Sequence, residues 1–275
     1  MSVKLAAGAG LGAAAVIGGG GYLTYDLLNR DYSPKVLGDL ENSVFTSRYS
    51  STTFFAHKYK KYLVDPEDSR NRWWWEERYQ NLKDAIADSS KNIKLDEVFY
   101  KTNENKVTVA FGNAATSLNK VCGVVFGEDE SNWSSSPNKK SNVWTYCSIL
   151  KEEPKLISTT DGFETGKFGS ETNHHGKAVS AKPNEEFNKE FWDLRNREFF
   201  GESGKDGTGN NASEKSLFKE LYAKKSTRGN SDSIKSVCHK AYDTLKSAGE
   251  TEPKVKDEDI KRFCYLVPET ITPPA

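Results

Sequence analysis

The sequence feature that most constrains the fold is an internal repeat, in which four well-separated residues recur after 116 or 117 positions. They are one tryptophan, one arginine and two cysteines. The recurring pairs are Trp75 with Trp192, Arg78 with Arg195, Cys122 with Cys238 and Cys147 with Cys264. A chain of 275 residues can form one large domain or two of ordinary size. The repeat favours two tandem modules of one architecture, and it accounts for every cysteine in the chain.

Helical spacing of apolar residues is clearest in the second half of the chain. Four segments, which begin at Phe187, Leu217, Ile234 and Ile260, place apolar side chains three, four or seven positions apart. Stretches rich in Gly, Ser, Asn and Thr separate the segments. Four short amphipathic helices can bury their apolar faces against one another, so the pattern predicts a small helical bundle.

The first half of the chain carries the same pattern less clearly. Residues 118–125 and 143–150 repeat the third and fourth helical segments. The runs VCGVVF and KVTVAF are rich in β-branched residues and would also suit strands, but the repeat favours helices. The predicted fold is therefore mainly α, with an N-terminal membrane helix followed by two tandem, duplicated small helical-bundle modules.

These patterns divide the chain into five segments. They are a membrane anchor or signal segment (1–28), a juxtamembrane stretch (29–66), helical module 1 (67–153), a flexible linker (154–183) and helical module 2 (184–275). The juxtamembrane stretch contains HKYKKY, which suits an ordinary surface helix or contact with lipid headgroups. The linker is polar and contains His174 and His175, so we expect it to be mobile, exposed and solvated.

An uncharged run of 21 residues, 5–25, stands near the N-terminus. As a helix it would span about 31 Å, against a hydrocarbon core of about 30 Å. Gly and Ala dilute its larger apolar residues. The run suits an uncleaved anchor or a cleaved signal peptide with Ala13 and Ala15 at the cleavage site. We expect membrane association through this segment, with the N-terminus inside and the bulk of the chain outside.

The two cysteines of each module are 25 or 26 residues apart and lie on the apolar faces of neighbouring predicted helices. If the chain lies outside the cell, an intra-module disulfide is expected in each case, Cys122 with Cys147 and Cys238 with Cys264. Free buried thiols are the main alternative, and other pairings are a further one. The absence of closely spaced cysteines argues against a zinc site.

A run of three consecutive tryptophans begins at Trp73. Three consecutive side chains cannot all face one core. Trp74 and Trp75 match Phe191 and Trp192 in the repeat, which favours core positions for them. Trp73 is then a possible contact residue for a partner or a membrane surface, because tryptophan is enriched at binding hot spots.

Catalytic and nucleic-acid-binding signatures are missing from the sequence. Basic and acidic residues balance at 39 each, so there is no basic surplus for a nucleic-acid partner. Patterns of P-loops, serine hydrolases and zinc proteases do not occur. Cys238 and His239 are adjacent, but adjacent side chains on a helix point apart. We expect no enzymatic activity, no cofactor and no metal.

The layout resembles the large paralogous families of uncharacterised proteins encoded by haemotropic mycoplasmas. The features that carry the resemblance are the segment LAAGAGLGAAAVIGGGGYL, a Lys-rich polar body, and single cysteines inside sequences such as VWTYCSIL. The resemblance implies a membrane-associated, surface-displayed protein and supplies no catalytic residues. The N-terminal segment lacks a cysteine for lipid attachment, so display would depend on a helical anchor.

These observations favour a single-pass, membrane-anchored protein that is exposed on the cell surface and acts in host interaction or as an antigen. Its expected partners are the membrane and a host surface protein. An inward-facing membrane-tethered scaffold is the first alternative, and a membrane-tethered hydrolase with an unrecognised site is the second. The sequence does not indicate an oligomeric state.

Overall fold

A computed structural model describes residues 33–88, 94–101, 104, 106–201, 205–229 and 231–269. The predicted membrane segment, residues 1–28, lies outside these residues. Within the described part of the chain, no helix is long and apolar enough to cross a membrane. The described residues from Pro34 onward form one compact unit.

Short α-helices dominate the described structure, as the sequence predicts. Those of the first half are α1 (Asn42–Arg48), α2 (Phe55–Tyr59), α3 (Arg72–Ala87), α4 (Leu118–Phe126) and α5 (Lys139–Cys147). Those of the second half are α6 (Lys189–Phe200), α7 (Leu217–Ala223), α8 (Ile234–Asp243) and α9 (Asp257–Phe263). The helices predicted from residues 118 and 143 are confirmed as α4 and α5. The four predicted segments of the second half correspond to α6–α9.

Short 3-10 helices and isolated backbone bridges connect these helices. The 3-10 helices are Leu37–Asp39, Ser69–Asn71, Glu130–Ser135, Thr159–Asp161, Phe168–Ser170, Thr208–Asn211 and Lys246–Ala248. Among the described residues, extended segments pair only as isolated bridges and build no sheet. Because the bridges are short, the core consists mainly of helix faces and aromatic side chains.

Local signals fix the ends of several helices. The Ser233 hydroxyl accepts a hydrogen bond from the Ser236 N–H, which caps α8. Helix α6 ends at Gly201, whose φ of 76° is a conformation that favours glycine. A Cβ at Gly201 would lie 2.4 Å from the Lys205 carbonyl oxygen, so the close return of the chain also requires glycine here.

A buried asparagine fastens the start of the first half to the segment before α3. The Asn71 side chain accepts a hydrogen bond from the Lys35 N–H (2.8 Å). It donates to the carbonyl oxygens of Lys35 (2.8 Å) and Asp65 (2.9 Å). One side chain thus satisfies three backbone groups from two separate stretches of chain.

The second half contains the same arrangement around Asn188. Its side chain accepts from the Lys155 N–H (2.8 Å) and donates to the carbonyl oxygens of Lys155 (3.0 Å) and Ser180 (3.1 Å). Asn188 lies 117 residues after Asn71, the main offset of the sequence repeat. We refer to the two arrangements as the asparagine clamps.

Backbone pairing around each clamp also recurs. In the first half, Val36 bridges Val64, and Leu63 bridges Ser148. The equivalent bridges in the second half join Leu156 to Val179 and Ala178 to Tyr265. In both halves, the N–H of the central residue, Val64 or Val179, donates to the carbonyl oxygen of the second cysteine, Cys147 or Cys264. Each half therefore holds its last helix through a pair of extended segments.

Two stretches that the sequence analysis sets outside the helical modules contribute to the core. The juxtamembrane stretch contributes Phe55, Tyr62 and Leu63 to the core, all at most 2% exposed. The expected linker contributes Ala178 and Val179, both fully buried. The expectation of an exposed linker over 154–183 is therefore wrong for these residues, and the bounds of the segment stay a prediction. Leu63 and the pair Ala178 and Val179 lie in short extended segments that pair with distant backbone, so they lack the apolar periodicity that identifies helices.

Tyr62 joins the two halves. Its hydroxyl donates to the carbonyl oxygen of Leu266 and accepts a hydrogen bond from Arg195 Nη2 (2.9 Å). Its ring lies 6.0 Å from Trp144 and 6.4 Å from Phe191, measured between ring centroids. Burial raises the pKa of Tyr62 to about 12, so the hydroxyl stays neutral and keeps its proton for the bond to Leu266.

Candidate functional site

Each half of the chain contains one disulfide. Cys122 on α4 is bonded to Cys147 at the end of α5, with a Cα–Cα distance of 5.7 Å. Cys238 on α8 is bonded to Cys264 directly after α9, with a Cα–Cα distance of 5.9 Å. The predicted pairing is confirmed. All four cysteines are fully buried, so each disulfide fastens neighbouring helices inside the core.

The two disulfides stabilise the fold and are shielded from solvent thiols. Closing loops of 25 and 26 residues stabilises the folded chain by about 3 kcal/mol per bond in the chain-entropy model. Because the sulfurs are buried, a solvent thiolate cannot reach them without local unfolding. Cys238 is committed to its disulfide, so the neighbouring His239 cannot activate it as a nucleophile.

The tryptophan run divides between core and surface. Trp74 and Trp75 on α3 are at most 2% exposed, as their matches in the repeat predict. Trp73 is half-buried and packs against the edge of the core. Its exposed part is available for the contact that the sequence suggests.

His174 lies in the core, so the expected solvated loop at this position is wrong. The residue is fully buried. Its Nδ1 lies 2.9 Å from the Tyr265 hydroxyl, and that hydroxyl donates to the Asn173 carbonyl oxygen, so Nδ1 is the donor. His174 Nε2 lies 3.0 Å from Asp257 Oδ1, within ion-pair distance although outside hydrogen-bond direction. His174 thus ties residues 173–174 to α9.

Asp257 responds electrostatically to these neighbours. Its side chain is 42% exposed and also contacts Lys261 at 2.8 Å. The interaction with His174, followed by that with Lys261, holds the pKa of Asp257 well below its usual range. Asp257 and Lys261 lie beside the buried imidazole of His174 and do not line an open pocket. The three side chains therefore fit a structural role better than a catalytic one.

A cleft of about 450 Å³ opens on the second half, and we call it the His239 cleft. Its walls come from three separate stretches of chain. They are Asp161, Gly162, Phe163, Lys182, Pro183, Asn184, Glu185, His239 and Asp243. No sequence motif marks this site, because its residues lie up to 82 positions apart in the chain.

Charged groups in the His239 cleft are partly paired. Lys182 Nζ lies 2.8 Å from Asp161 and 3.9 Å from Glu185. Asp243 lies 2.8 Å from Lys167, which approaches from outside the lining. Burial opposes ionisation of Asp161, but hydrogen bonds from Lys182 and from the Ser158 backbone outweigh it and lower the pKa of Asp161.

A metal centre would need several ligating side chains close together. Across the part of the chain that the structure describes, no three His, Cys, Asp or Glu side chains are grouped to hold a metal ion. His239 therefore has no companion set of ligands in its cleft.

Fold and disulfides together define the class of this chain: a mainly helical body stabilised by two disulfides. Comparisons with protein-family models, with curated proteins and with solved structures gave no match.

Proposed function

We propose that the chain is a membrane-anchored binding protein that is displayed on the cell surface and acts in host interaction or as a surface antigen. The observation that carries this proposal is the pair of buried disulfides, which use all four cysteines of the chain. Disulfides of this structural kind form and persist in oxidising compartments outside the cytosol. An exterior position of the folded body follows from that chemistry.

The uncharged segment 5–25 supplies the proposed anchor. A helix of that length matches the hydrocarbon thickness of a bilayer. With the disulfide-bonded body outside, the short N-terminus would lie inside, as in a signal anchor. A surface protein of this layout agrees with the resemblance to the paralogous proteins of haemotropic mycoplasmas.

We propose further that the body consists of two copies of one module. The recurring disulfides, asparagine clamps and bridge pairs support this, because unrelated folds would not reproduce the same backbone hydrogen bonds. The module boundaries suggested by these contacts are 34–153 and 154–269, so each copy begins with its extended segment. Two related modules can offer two contact surfaces whose combined avidity exceeds either alone.

A binding role fits the described surface better than catalysis. The strongly connected titratable group, around His174, is enclosed in the core. Trp73 offers a half-exposed aromatic face for a partner, and hot spots are rich in tryptophan. An inward-facing scaffold would share the fold but would carry reduced cysteines, and a hydrolase would need a convergent catalytic set in an open pocket.

The location is tested by labelling thiols in intact cells with a membrane-impermeant maleimide, followed by lysis, a second alkylation and disulfide mapping. We expect no label on any of the four cysteines and recovery of the peptides linked by Cys122–Cys147 and Cys238–Cys264. A cytosolic protein with free thiols serves as the control for membrane integrity. Four cysteines alkylated only after lysis would assign the body to the cytosol and overturn surface display.

Surface protease treatment of the same cells provides a second measurement. Cleavage of the folded body from the outside, with the N-terminal segment retained in the membrane, is the expected result. Complete protection in intact cells, together with cleavage after lysis, would reverse the proposed orientation.

A further inference from the structure

The two halves differ at one equivalent position, and the first half shows how that position is normally closed. Gly123 lies on α4, and Gly127, four positions later, directly follows the helix. Tyr49 and Pro66 cover them: a Cβ at Gly123 would lie 3.2 Å from Pro66 Cγ and 4.0 Å from the Tyr49 hydroxyl. A Cβ at Gly127 would lie 4.0 Å from Tyr49 Cδ1. Small residues on the helix therefore let a tyrosine seal this face.

In the second half the corresponding face of α8 is open. The offset of 116 that relates Cys122 to Cys238 places His239 and Asp243 at the two glycine positions. Phe163 packs on Tyr242 with a centroid distance of 6.1 Å, much as Tyr49 packs on Phe126 at 6.4 Å. His239 and Asp243 are larger than the two glycines, so Phe163 does not cover this face as Tyr49 covers the other. The His239 cleft lies beside the two side chains.

The charges of the cleft select the kind of ligand. Its lining contains three carboxylates, from Asp161, Glu185 and Asp243, and one ammonium, from Lys182. The carboxylates and Lys182 give the lining a net formal charge of −2, and Lys167, which pairs with Asp243 from outside the lining, brings the local charge to −1. Lys182 is already engaged with Asp161 and Glu185, so it is a poor site for an incoming anion.

The apolar lining and the volume of the cleft further restrict the kind of ligand that fits. Phe163 and Pro183 supply apolar surface beside the carboxylates. An aromatic ring next to negative charge suits a cation with an organic body, through cation–π attraction and apolar contact together. His239 Nδ1 is buried and has no hydrogen-bond partner among the described residues, so this atom does not tie the imidazole to another part of the structure. A volume of about 450 Å³ lies within the range of ligand pockets.

We propose that the His239 cleft binds a cationic organic group, the guanidinium or ammonium of a partner's Arg or Lys side chain or of a free amine. Glu185, which is only 3.9 Å from Lys182, would pair with the cation, and Asp243 would offer the oxygen that does not hold Lys167. Phe163 would contact the apolar portion of the ligand. The inference deepens the proposed binding role and rests on it, but it does not depend on where the protein is located.

The test is a titration of the full chain, purified in detergent with both disulfides formed, monitored by ¹H–¹³C NMR of the His239 imidazole. The chain has four histidines, and His239→Asn assigns the signal. The probes are N-acetyl-arginine methylamide, N-acetyl-lysine methylamide, putrescine and the neutral N-acetyl-citrulline methylamide. We expect saturable shifts of the His239 signal with the cationic probes and none with citrulline. Tighter binding of the blocked amino acids would assign the source to a polypeptide, and tighter binding of putrescine would assign it to a free amine.

Variants localise the binding. Asp243→Asn should weaken binding about threefold to fivefold, the range expected for a partly exposed ion pair. Glu164→Gln is the matched control, because Glu164 also pairs with Lys167 (3.2 Å) but does not line the cleft. Asn184→Trp, at an exposed lining position, should block the cleft and abolish the shifts.

Three results would overturn the proposal: equal shifts with citrulline, no shift with any probe, or unchanged binding by Asn184→Trp. Disulfide mapping of each variant checks that the fold is intact. Thiol labelling in cells reports location and this titration reports the cleft, so failure of one is distinguishable from failure of the other.

Discussion

Replacing Asn188 with alanine removes three hydrogen bonds from a single side chain that is 2% exposed. A net value of about 1 kcal/mol for each bond predicts a loss of about 3 kcal/mol in the free energy of unfolding. The Lys155 N–H would then be left without its partner, which places the loss at or above this value. Asn71→Ala removes an equivalent set of three bonds and should cost about the same amount.

The two clamps differ in backbone conformation, and this difference provides an internal control. Asn188 has a φ of 62°, whereas Asn71 has a φ of −82°. A left-handed conformation costs alanine about 1 kcal/mol more than glycine or asparagine. Asn188→Gly should therefore be about 1 kcal/mol more stable than Asn188→Ala. At position 71 the order should reverse, because glycine there only adds unfolded-state entropy.

Urea unfolding of the oxidised full chain in detergent, followed by far-ultraviolet circular dichroism, measures all four variants. The difference between glycine and alanine at each position is the most informative quantity, because lost hydrogen bonds cancel within each pair. If Asn71→Ala and Asn188→Ala each cost less than about 1 kcal/mol, the clamps do not stabilise the fold as argued. The same sign of the glycine–alanine difference at both positions would refute the conformational part.

Three further predictions concern the disulfides, the half-exposed tryptophan and the buried histidine. The double variant Cys122→Ser, Cys147→Ser should lose about 3 kcal/mol of stability in the same assay, and an unchanged unfolding midpoint would contradict this. Trp73→Ala should reduce binding to host cells or membranes, and unchanged binding together with unchanged stability would remove Trp73 as a contact residue. Because the folded-state pKa of Asp257 is depressed, its interaction with His174 stabilises the fold above about pH 4 and is lost as the pH falls further. Asp257→Asn should flatten the acid limb of a stability profile between about pH 4 and pH 2, and an identical slope in the variant would refute this linkage.

Helix positions and cysteine pairing were predictable because both leave periodic or repeated marks in the sequence. Helix α8 begins at the predicted Ile234, and its buried residues Cys238 and Ala241 follow at helical spacing. Since the repeat placed both cysteines of each half on neighbouring helices, it also indicated which sulfurs meet. The β-branched run in α4 shows that tertiary packing overrides local strand preference.

Other features depend on contacts between distant stretches, which a single sequence does not reveal. Phe187 was predicted on the apolar face of a helix but precedes α6 and is 46% exposed, beneath the Lys155 ammonium at 3.8 Å from its ring centroid. The sequence predicts a polar loop around His174, whereas the structure buries His174 in the core, next to Tyr265, 91 positions later. The His239 cleft arises from a difference between two equivalent faces, and that difference is visible only when the halves are compared in three dimensions.

The contact made by Tyr62 means that the two proposed modules are not interchangeable in the chain. Its counterpart by backbone pairing is Lys177, since the Ile149 N–H donates to Tyr62 O as the Leu266 N–H donates to Lys177 O. Lys177 lies 3.4 Å from Glu269 and is more than half exposed, so the second module ends in a charged face where the first has an aromatic joint. A third module placed after the second would have no tyrosine at the position of Lys177 to contact. If the order of the two modules were exchanged, the buried Arg195 would lose its hydrogen bond to the Tyr62 hydroxyl.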